Sequence, residues 1–247
     1  LRELEGRRRV QSKARWDSGI YRVALVGYTN AGKSTLLNQL TGSEVYAKDE
    51  LFATLDPTTR RLELEEGRKI TLTDTVGFIQ KLPTTLVESF KSTLAEVRAA
   101  DLVLKVVDAS DPNARKQLAA VDDVLADIES DKIPSVVVYN KCDLLDADER
   151  NVLSASHPDA VLLSALGSWG LRGLLYRIAQ EASRDDVTIT ALVPYDKGLL
   201  MKMVHERCQV VREEYVQGGL MATVRASNRM AETLAPYVVR ASDVAGS

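Results

Sequence analysis

A glycine-rich loop at residues 27–34 constrains the fold of this 247-residue chain more than any other feature. The loop follows a short apolar run, 23–27, and precedes a segment, 33–40, whose pattern predicts a helix. Its residues are Gly27, Tyr28, Thr29, Asn30, Ala31, Gly32, Lys33 and Ser34. They fit the spacing G-x-x-x-x-G-K-[ST] of a phosphate-binding loop, in which backbone N–H groups and a helix N-terminus face phosphate oxygens. This spacing predicts that Lys33 reaches the β- and γ-phosphates of a nucleotide and that Ser34 ligates Mg²⁺.

A second motif follows the apolar run 70–73. Its residues are Asp74, Thr75, Val76 and Gly77. An acidic residue after a buried strand is expected to hold the Mg²⁺ ligand shell, and the Gly77 N–H can approach the γ-phosphate. The pattern D-x-x-G is weak on its own, but it becomes specific when it follows a phosphate-binding loop.

A third motif indicates which base is bound. The apolar run 135–139 leads into Asn140, Lys141, Cys142 and Asp143. A carboxylate at Asp143 can accept two hydrogen bonds from the N1–H and N2–H₂ edge of guanine, and adenine has no such donor pair. Asn140 can bind the base and brace the loops, and the methylene stem of Lys141 can cover the ring. After the next apolar run stand Ser164, Ala165 and Leu166, where a backbone N–H can meet guanine O6.

Apolar runs and amphipathic segments alternate through the first 182 residues. Strands are predicted at 23–27, 61–65, 70–73, 101–108, 135–139 and 160–163, and helices at 33–40, 86–99, 113–128 and 171–182. This alternation predicts an α/β domain with a mostly parallel sheet and helices on both faces, a three-layer sandwich. The GTP-binding domain is expected to span 20–183.

A polar break at 183–186 predicts a domain boundary. Beyond it we expect a strand at 187–194, a long helix at 199–216, a turn at Gly218-Gly219 and a strand at 220–225. These elements predict a small α+β domain over 187–240, followed by a tail at 241–247. The basic start of the chain predicts either the solvated end of a helix or an arm that contacts phosphates.

Composition excludes several classes of protein. The chain has 32 basic and 35 acidic residues, so gross charge alone does not hold it to nucleic acid. Two cysteines far apart, Cys142 and Cys208, exclude a disulfide framework. No apolar run is long enough to predict a transmembrane segment, and no signal peptide is recognisable. We expect a cytoplasmic protein, with ribosome association or peripheral membrane association as further options, and a monomer. Because the chain starts at Leu1, we expect a fragment.

The motifs resemble one family closely. The segments GYTNAGKSTLLNQLT, LFATLDPTTR, DTVGFIQKLP, VVDASDP and NKCD resemble the HflX family of translation-factor-related P-loop GTPases, over residues 20–180. The resemblance implies hydrolysis of GTP to GDP and phosphate with Mg²⁺. It also implies binding to the large ribosomal subunit and a switch role in splitting or rescuing stalled ribosomes. It further implies that residues 1–19 are the basic end of the helical linker that precedes the family's G domain. The family's amino-terminal domain is expected to lie outside this sequence.

The resemblance also implies a switch I segment at 51–59. Its nucleotide-facing residues would be Phe52, Ala53, Thr54, Leu55 and Asp56. Thr54 would ligate Mg²⁺ and sense the γ-phosphate, but Thr58 and Thr59 remain rivals because spacing does not choose among them. Lys33, Thr54 and Gly77 are therefore the predicted catalytic residues.

Two positions suggest how catalysis is completed. Phe78 stands where many GTPases have a glutamine that orients the attacking water, and a phenyl ring cannot do so. We therefore expect slow intrinsic turnover that a partner raises. Asn30 either helps to hold a potassium ion (K⁺) beside the phosphates or braces switch I, and the sequence does not separate these roles.

Two other functions remain open from the sequence. One is a GTPase in ribosome assembly or RNA modification, and the other is a GTP-dependent binding module that does not hydrolyse, which Phe78 suggests. Contact with ribosomal RNA rests on the basic start and on a set of arginines that solvated surface positions explain equally well. These are Arg207, Arg212, Arg225 and Arg229.

Overall fold

The structure of the protein is a computed structural model that describes residues 20–42, 58–75, 77 and 94–239. Six strands in these residues pair into one sheet. The strands are β1 Tyr21–Gly27, β2 Thr58–Glu63, β3 Lys69–Asp74, β4 Leu102–Asp108, β5 Ser135–Asn140 and β6 Val161–Leu162, in the spatial order β2-β3-β1-β4-β5-β6. β1 pairs in parallel with β3 and β4, β4 with β5, and β5 with β6. The predicted α/β class and mostly parallel sheet are thus confirmed.

Register brings the ends of four strands to one edge of the sheet. Gly27 lies opposite Val106, Leu25 opposite Asp74, and Asp108 opposite Asn140. Because parallel strands share a carboxyl edge, the three motifs that follow β1, β3 and β5 meet there.

Helices follow the strands, as the alternation predicts. They are α1 Lys33–Thr41, α2 Ala114–Asp127, α3 Ala147–Ser156 and α4 Leu171–Ala182. A core forms where Val121 and Leu125 of α2 pack against Ala24, Val26 and Val103 of the sheet. Of the helix predicted over 86–99, residues 94–98 are helical, and 86–93 lie outside the described residues.

Apolar periodicity does not predict the helix α3, because the helix has no buried residue and therefore no apolar face. Its start is specified locally instead. Asp146 accepts a hydrogen bond from the Glu149 N–H at 2.8 Å, and Glu149 accepts one from the Asp146 N–H at 2.9 Å. This reciprocal capping box satisfies two N–H groups that the first helical turn leaves without partners.

The described residues divide into two compact units. The larger unit comprises Tyr21–Leu62 and Ile70–Glu181, and the smaller one comprises Ile20, Glu63–Lys69 and 182–239. In the smaller unit, β7 Val187–Val193, α5 Gly198–Arg207, β8 Gln209–Val216, β9 Gly219–Ala226 and α6 Asn228–Leu234 follow in turn. Its sheet is antiparallel, in the order β7-β9-β8. Both helices contribute to its core, through Val204 and Met230 among others.

The helix predicted over 199–216 is wrong in its second half. α5 ends at Arg207, Cys208 is extended, and residues 209–216 form strand β8. β8 pairs with β9 from Gln209 to Val216, with one irregularity between Val210 and Arg212. Cross-strand pairing across a short turn therefore overrides the sparse helical periodicity, and β-branched and aromatic residues favour a strand.

A buried ion pair lies within the smaller unit. Arg68, in the turn between β2 and β3, forms an ion pair with Asp186 and donates to the Ala182 carbonyl. Both charged side chains are almost completely buried.

Across the described parts of the chain, no helix has the length and apolar character needed to cross a membrane.

Candidate functional site

The phosphate loop lies tightly against the ends of β4 and β5. A Cβ atom at Gly27 would be 2.2 Å from the Val106 carbonyl oxygen, and one at Gly32 would be 2.2 Å from Nδ2 of Asn140. Gly32 also has a φ of 90°, which L side chains rarely adopt. Both glycines of the motif are thus required by close approach of backbone and side chain.

Lys33 is the first residue of α1, and its side chain folds back over the loop. Nζ donates to the carbonyl oxygens of Gly27 at 3.1 Å and Tyr28 at 3.0 Å. The residue is only 6% exposed. Burial lowers the pKa of Lys33 to about 8, although the nearby Asp74 carboxylate acts in the opposite direction. An ammonium group held this way is ready to exchange carbonyl partners for phosphate oxygens.

Ser34 and Asp74 meet as the Mg²⁺ prediction requires. The Ser34 hydroxyl donates to Oδ2 of Asp74 at 2.6 Å, and Asp74 is 2% exposed. A hydroxyl and a carboxylate are the hard oxygen ligands that Mg²⁺ prefers together with substrate phosphates. The pair therefore fits the ion. In the part of the chain that the structure describes, no group of three or more His, Cys, Asp or Glu forms another candidate metal site.

The residues after Asp74 join the second motif to the phosphate loop. Thr75 is fully buried, and its hydroxyl donates to the Leu25 carbonyl of β1 at 2.6 Å. A Cβ atom at Gly77 would lie 2.8 Å from Cγ2 and 2.9 Å from Cα of Thr29. Gly77 therefore packs directly on the loop, which leaves no room for a side chain.

Asn140 joins the phosphate loop, residues 27–34, to the loop at 164–166, which is predicted to contact the base. Its side-chain N–H donates to the Ala31 carbonyl at 2.9 Å, and its Oδ1 accepts from the Ala165 N–H at 2.9 Å. The side chain is 2% exposed, so both hydrogen bonds are shielded from water. Both contacts fit the bracing role that the sequence predicts for Asn140.

Lys141 is constrained at its backbone and at the ammonium group of its side chain. Its backbone has a φ of 62°, in the left-handed region, and its Nζ lies 2.7 Å from Oδ2 of Asp108. Sequence reasoning missed Asp108, although it ends the strand β4. Burial acts to raise the pKa of Asp108, but hydrogen bonds from Lys141 and Ser110 outweigh burial and hold it below its ordinary value.

The two other residues of this motif differ in exposure. Cys142 is fully buried, its thiol donates to the Tyr139 carbonyl at 3.2 Å, and burial raises its pKa. Its side chain therefore supports the loop from below. Asp143 lies in the 3₁₀ turn Cys142–Leu144 and is exposed to solvent, where a base can reach it.

The loop at 164–166 is built to hold its backbone in place. Ser164 pairs with Trp169 through both main-chain hydrogen bonds, at 3.0 and 3.1 Å, and its hydroxyl accepts from the Gly167 N–H at 2.9 Å. Ala165 is buried, whereas Leu166 is 80% exposed. Because the Ala165 N–H already donates to Asn140, the loop and the Asn140 side chain form one unit.

Comparison with known proteins identifies the family. Residues 22–141 match the family model described as 50S ribosome-binding GTPase. "GTPase HflX" of Caldanaerobacter subterraneus subsp. tengcongensis is 43% identical over 97% of this chain. The chain belongs to the HflX family. Eight bacterial relatives with that name are 39% to 46% identical, and the chain spans about half the length of these curated relatives, 55% of the first.

Solved structures of other GTP-binding proteins have the same α/β fold. A GTP-binding protein from Sulfolobus solfataricus in complex with GDP is 28% identical, with a TM-score of 0.51 over 74% of this chain and 59% of that chain. Era in complex with MgGDPNP and nucleotides 1506–1542 of 16S ribosomal RNA is 26% identical, with a TM-score of 0.52 over 66% and 56%. These structures confirm the fold class, and the relatives named GTPase HflX confirm the family predicted from the motifs.

Part of the predicted HflX site lies outside the described residues. These positions are Phe52, Ala53, Thr54, Leu55, Asp56, Val76 and Phe78. The two rivals to Thr54, Thr58 and Thr59, are the first two residues of β2. The Thr59 hydroxyl oxygen lies 3.0 Å from the Thr73 hydroxyl oxygen in β3. Asn30 is exposed and has a φ of 61°, a conformation that asparagine tolerates better than most residues.

Proposed function

We propose that this HflX-family chain binds guanine nucleotides with Mg²⁺ and hydrolyses GTP to GDP and phosphate. The observation that carries the proposal is the pair of buried hydrogen bonds made by Asn140, to Ala31 and from Ala165. These bonds unite the loop at 27–34 and the loop at 164–166 in one assembly. Such an assembly suits a ligand that has both a triphosphate and a guanine.

Each described residue has a distinct task in this proposal. Asp143 accepts the two N–H groups of guanine, and Lys141 covers the ring. Lys33 binds the β- and γ-phosphates, and the Gly77 N–H donates to the γ-phosphate. Ser34 and Asp74 would hold Mg²⁺, which neutralises phosphate charge when bound. Water then attacks the γ-phosphate, and GDP leaves.

The residue that orients this water is not assigned. Phe78 has no hydrogen-bonding group, and this fact supports slow intrinsic turnover. Asn30 supports two accounts, a K⁺ site beside the phosphates and a brace for switch I. Its left-handed backbone gives a third reason for asparagine here, one that needs no ion. Dependence of the rate on K⁺ over Na⁺ separates the first account from the others.

We further propose that the chain is a switch on the large ribosomal subunit in the cytoplasm. Support comes from the description of the matching family model, 50S ribosome-binding GTPase. Arg225 and Arg229 are exposed in the smaller unit, so their positive charge faces solvent. Arg212 is also exposed, and its guanidinium lies 3.5 Å from a Glu214 carboxylate oxygen, which offsets part of its charge. Splitting or rescue of stalled ribosomes is the cellular role that we propose for this switch.

Single-turnover hydrolysis tests the two parts of the proposal separately. Excess protein is mixed with GTP and Mg²⁺, alone or with purified large subunits, and small subunits are the matched control. We expect slow hydrolysis alone and a rate at least about tenfold higher with large subunits, equal to about 1.4 kcal/mol of barrier. Rising salt should weaken the stimulation because the contacts include charge.

The outcomes point to different functions. Hydrolysis without stimulation would contradict the ribosome switch and leave a GTPase of other purpose, such as RNA modification. Tight GTP binding with no hydrolysis under either condition would favour a GTP-dependent binding module.

A further inference from the structure

The Asp108 carboxylate, at the end of β4, is committed on both oxygens. Oδ2 lies 2.7 Å from Nζ of Lys141. Oδ1 accepts from the Ser110 N–H at 3.0 Å and from the Ser110 hydroxyl at 2.7 Å. The two Ser110 bonds orient the carboxylate, so its second oxygen faces the ammonium group in a defined place.

The Lys141 backbone conformation is unfavourable for a residue with a Cβ atom. It persists because neighbouring atoms hold it. The Ala109 N–H donates to the Asn140 carbonyl at 2.8 Å, and the Cys142 N–H donates to the Leu163 carbonyl at 3.1 Å. These bonds fix the backbone on both sides of Lys141, and Asp108 fixes the far end of its side chain.

Fixing both ends matters because a lysine side chain has many rotamers in water. When the stem packs on a flat ligand, the side chain is restricted to one rotamer and loses conformational entropy. A side chain that is already held loses less entropy on binding, which raises affinity without adding a contact. Only 16% of the Asp108 side chain is exposed, so solvent screens the ion pair less than at the surface.

We infer that Asp108 is a positioning residue for guanine-nucleotide binding, and that it acts by holding the Lys141 stem where it covers the base. This inference rests on the proposed function of the site. Asp108 itself touches neither the base nor the phosphates in this account. Its effect therefore appears in the affinity for GDP and GTP alike and not in the chemical step.

A double-mutant cycle tests the inference. GDP and GTP dissociation constants are measured for the wild type, Asp108→Asn, Lys141→Ala and the double variant. Asn at 108 keeps an acceptor for Ser110 but turns an NH₂ group towards the ammonium. We expect GDP and GTP affinity to fall about tenfold in Asp108→Asn, equal to about 1.4 kcal/mol. In the Lys141→Ala background the same change should alter affinity by less than about twofold.

Two further readouts separate positioning from general damage. The rate at saturating GTP should stay within about twofold of the wild type, because only ground-state binding is changed. Asp122→Asn is the matched control, since Asp122 also pairs with a lysine of the same unit, Lys105, at 3.0 Å. It should leave nucleotide affinity unchanged.

The contrary outcomes are distinct. Wild-type affinity in Asp108→Asn, or an equal loss with and without Lys141, overturns the inference while the proposed function stands. A wild-type protein that does not bind guanine nucleotides overturns both. If Asp108→Asn fails to fold, Asp108→Glu takes its place in the cycle. It keeps the charge but displaces it by one methylene, and the same coupling to Lys141 is required.

Discussion

Asn140→Ala removes the side chain that links the phosphate loop to the base-binding loop. The change leaves the Ala31 carbonyl and the Ala165 N–H without their 2.9 Å partners in a buried place. An unsatisfied buried polar group costs about 1–3 kcal/mol. Because water can enter the space that the amide vacates, we expect a total destabilisation of about 2–4 kcal/mol in the free protein.

Nucleotide binding should suffer as well, because the two loops are no longer held together. We expect GDP affinity to fall about 100-fold, equal to about 2.7 kcal/mol. At a GDP concentration 1,000 times the wild-type Kd, the ligand adds about 4.1 kcal/mol to wild-type stability, and it should add only about 1.4 kcal/mol to the variant.

Urea unfolding with and without Mg-GDP measures both quantities. Tryptophan fluorescence suits the assay because Trp169 lies in the base-binding loop segment of the larger unit. The control is Asn151→Ala, an exposed position on α3, which should change neither stability nor GDP affinity. If Asn140→Ala kept wild-type stability and bound GDP within about twofold of the wild type, the linking role would be refuted.

Three further predictions follow from buried groups. Lys33 has a pKa of about 8 in the free protein, below its value in the unfolded chain. Burying the charged form therefore costs about 3 kcal/mol of folding stability below pH 8, and this cost disappears as the pH rises towards 10.5. Phosphates should restore the charge, so GDP binding at pH 8.5 should take up protons; calorimetry detects this as a binding enthalpy that depends on the ionisation enthalpy of the buffer, and the same binding enthalpy in every buffer would contradict it. Asp186→Ala leaves the Arg68 charge buried and should destabilise the smaller unit by about 3–5 kcal/mol in urea unfolding, whereas the exposed neighbour Asp185→Ala should not. Gly77→Ala places a Cβ atom 2.8 Å from a phosphate-loop side chain, and should weaken GTP binding more than GDP binding in equilibrium titrations; equal losses would place Gly77 away from the γ-phosphate.

The phosphate loop and the motif at 140–143 could be recognised from the sequence because each is a run of contiguous residues with a characteristic spacing. Gly27, Gly32 and Lys33 lie within seven consecutive residues. Close approach of neighbouring atoms at both glycines leaves no room for a side chain there. The two hydrogen bonds of Asn140 fit the bracing role predicted for it, although its partners are distant in the sequence. Its partners Ala31 and Ala165 lie in motifs that were already recognised.

Other features depend on register or on pairing, which the sequence does not display. Asp108 meets Lys141 only because β4 and β5 align Asp108 with Asn140. The segment 209–216 is a strand because β9 pairs with it, although its spacing of apolar residues also fits one face of a helix. α3 has no buried face, so its capping box at Asp146 was the one available signal.

The most direct test of the account is the base preference of the wild type and of Asp143→Asn. Equilibrium binding of guanosine, xanthosine and adenosine diphosphates is measured with Mg²⁺ for both proteins. The account predicts that the wild type prefers guanosine diphosphate and that the variant prefers xanthosine diphosphate, because an amide offers a donor where the carboxylate accepted. Guanosine diphosphate affinity should fall by more than about tenfold, equal to about 1.4 kcal/mol. A wild type that binds adenosine diphosphate equally well, or a variant that keeps wild-type preference and affinity, would contradict it.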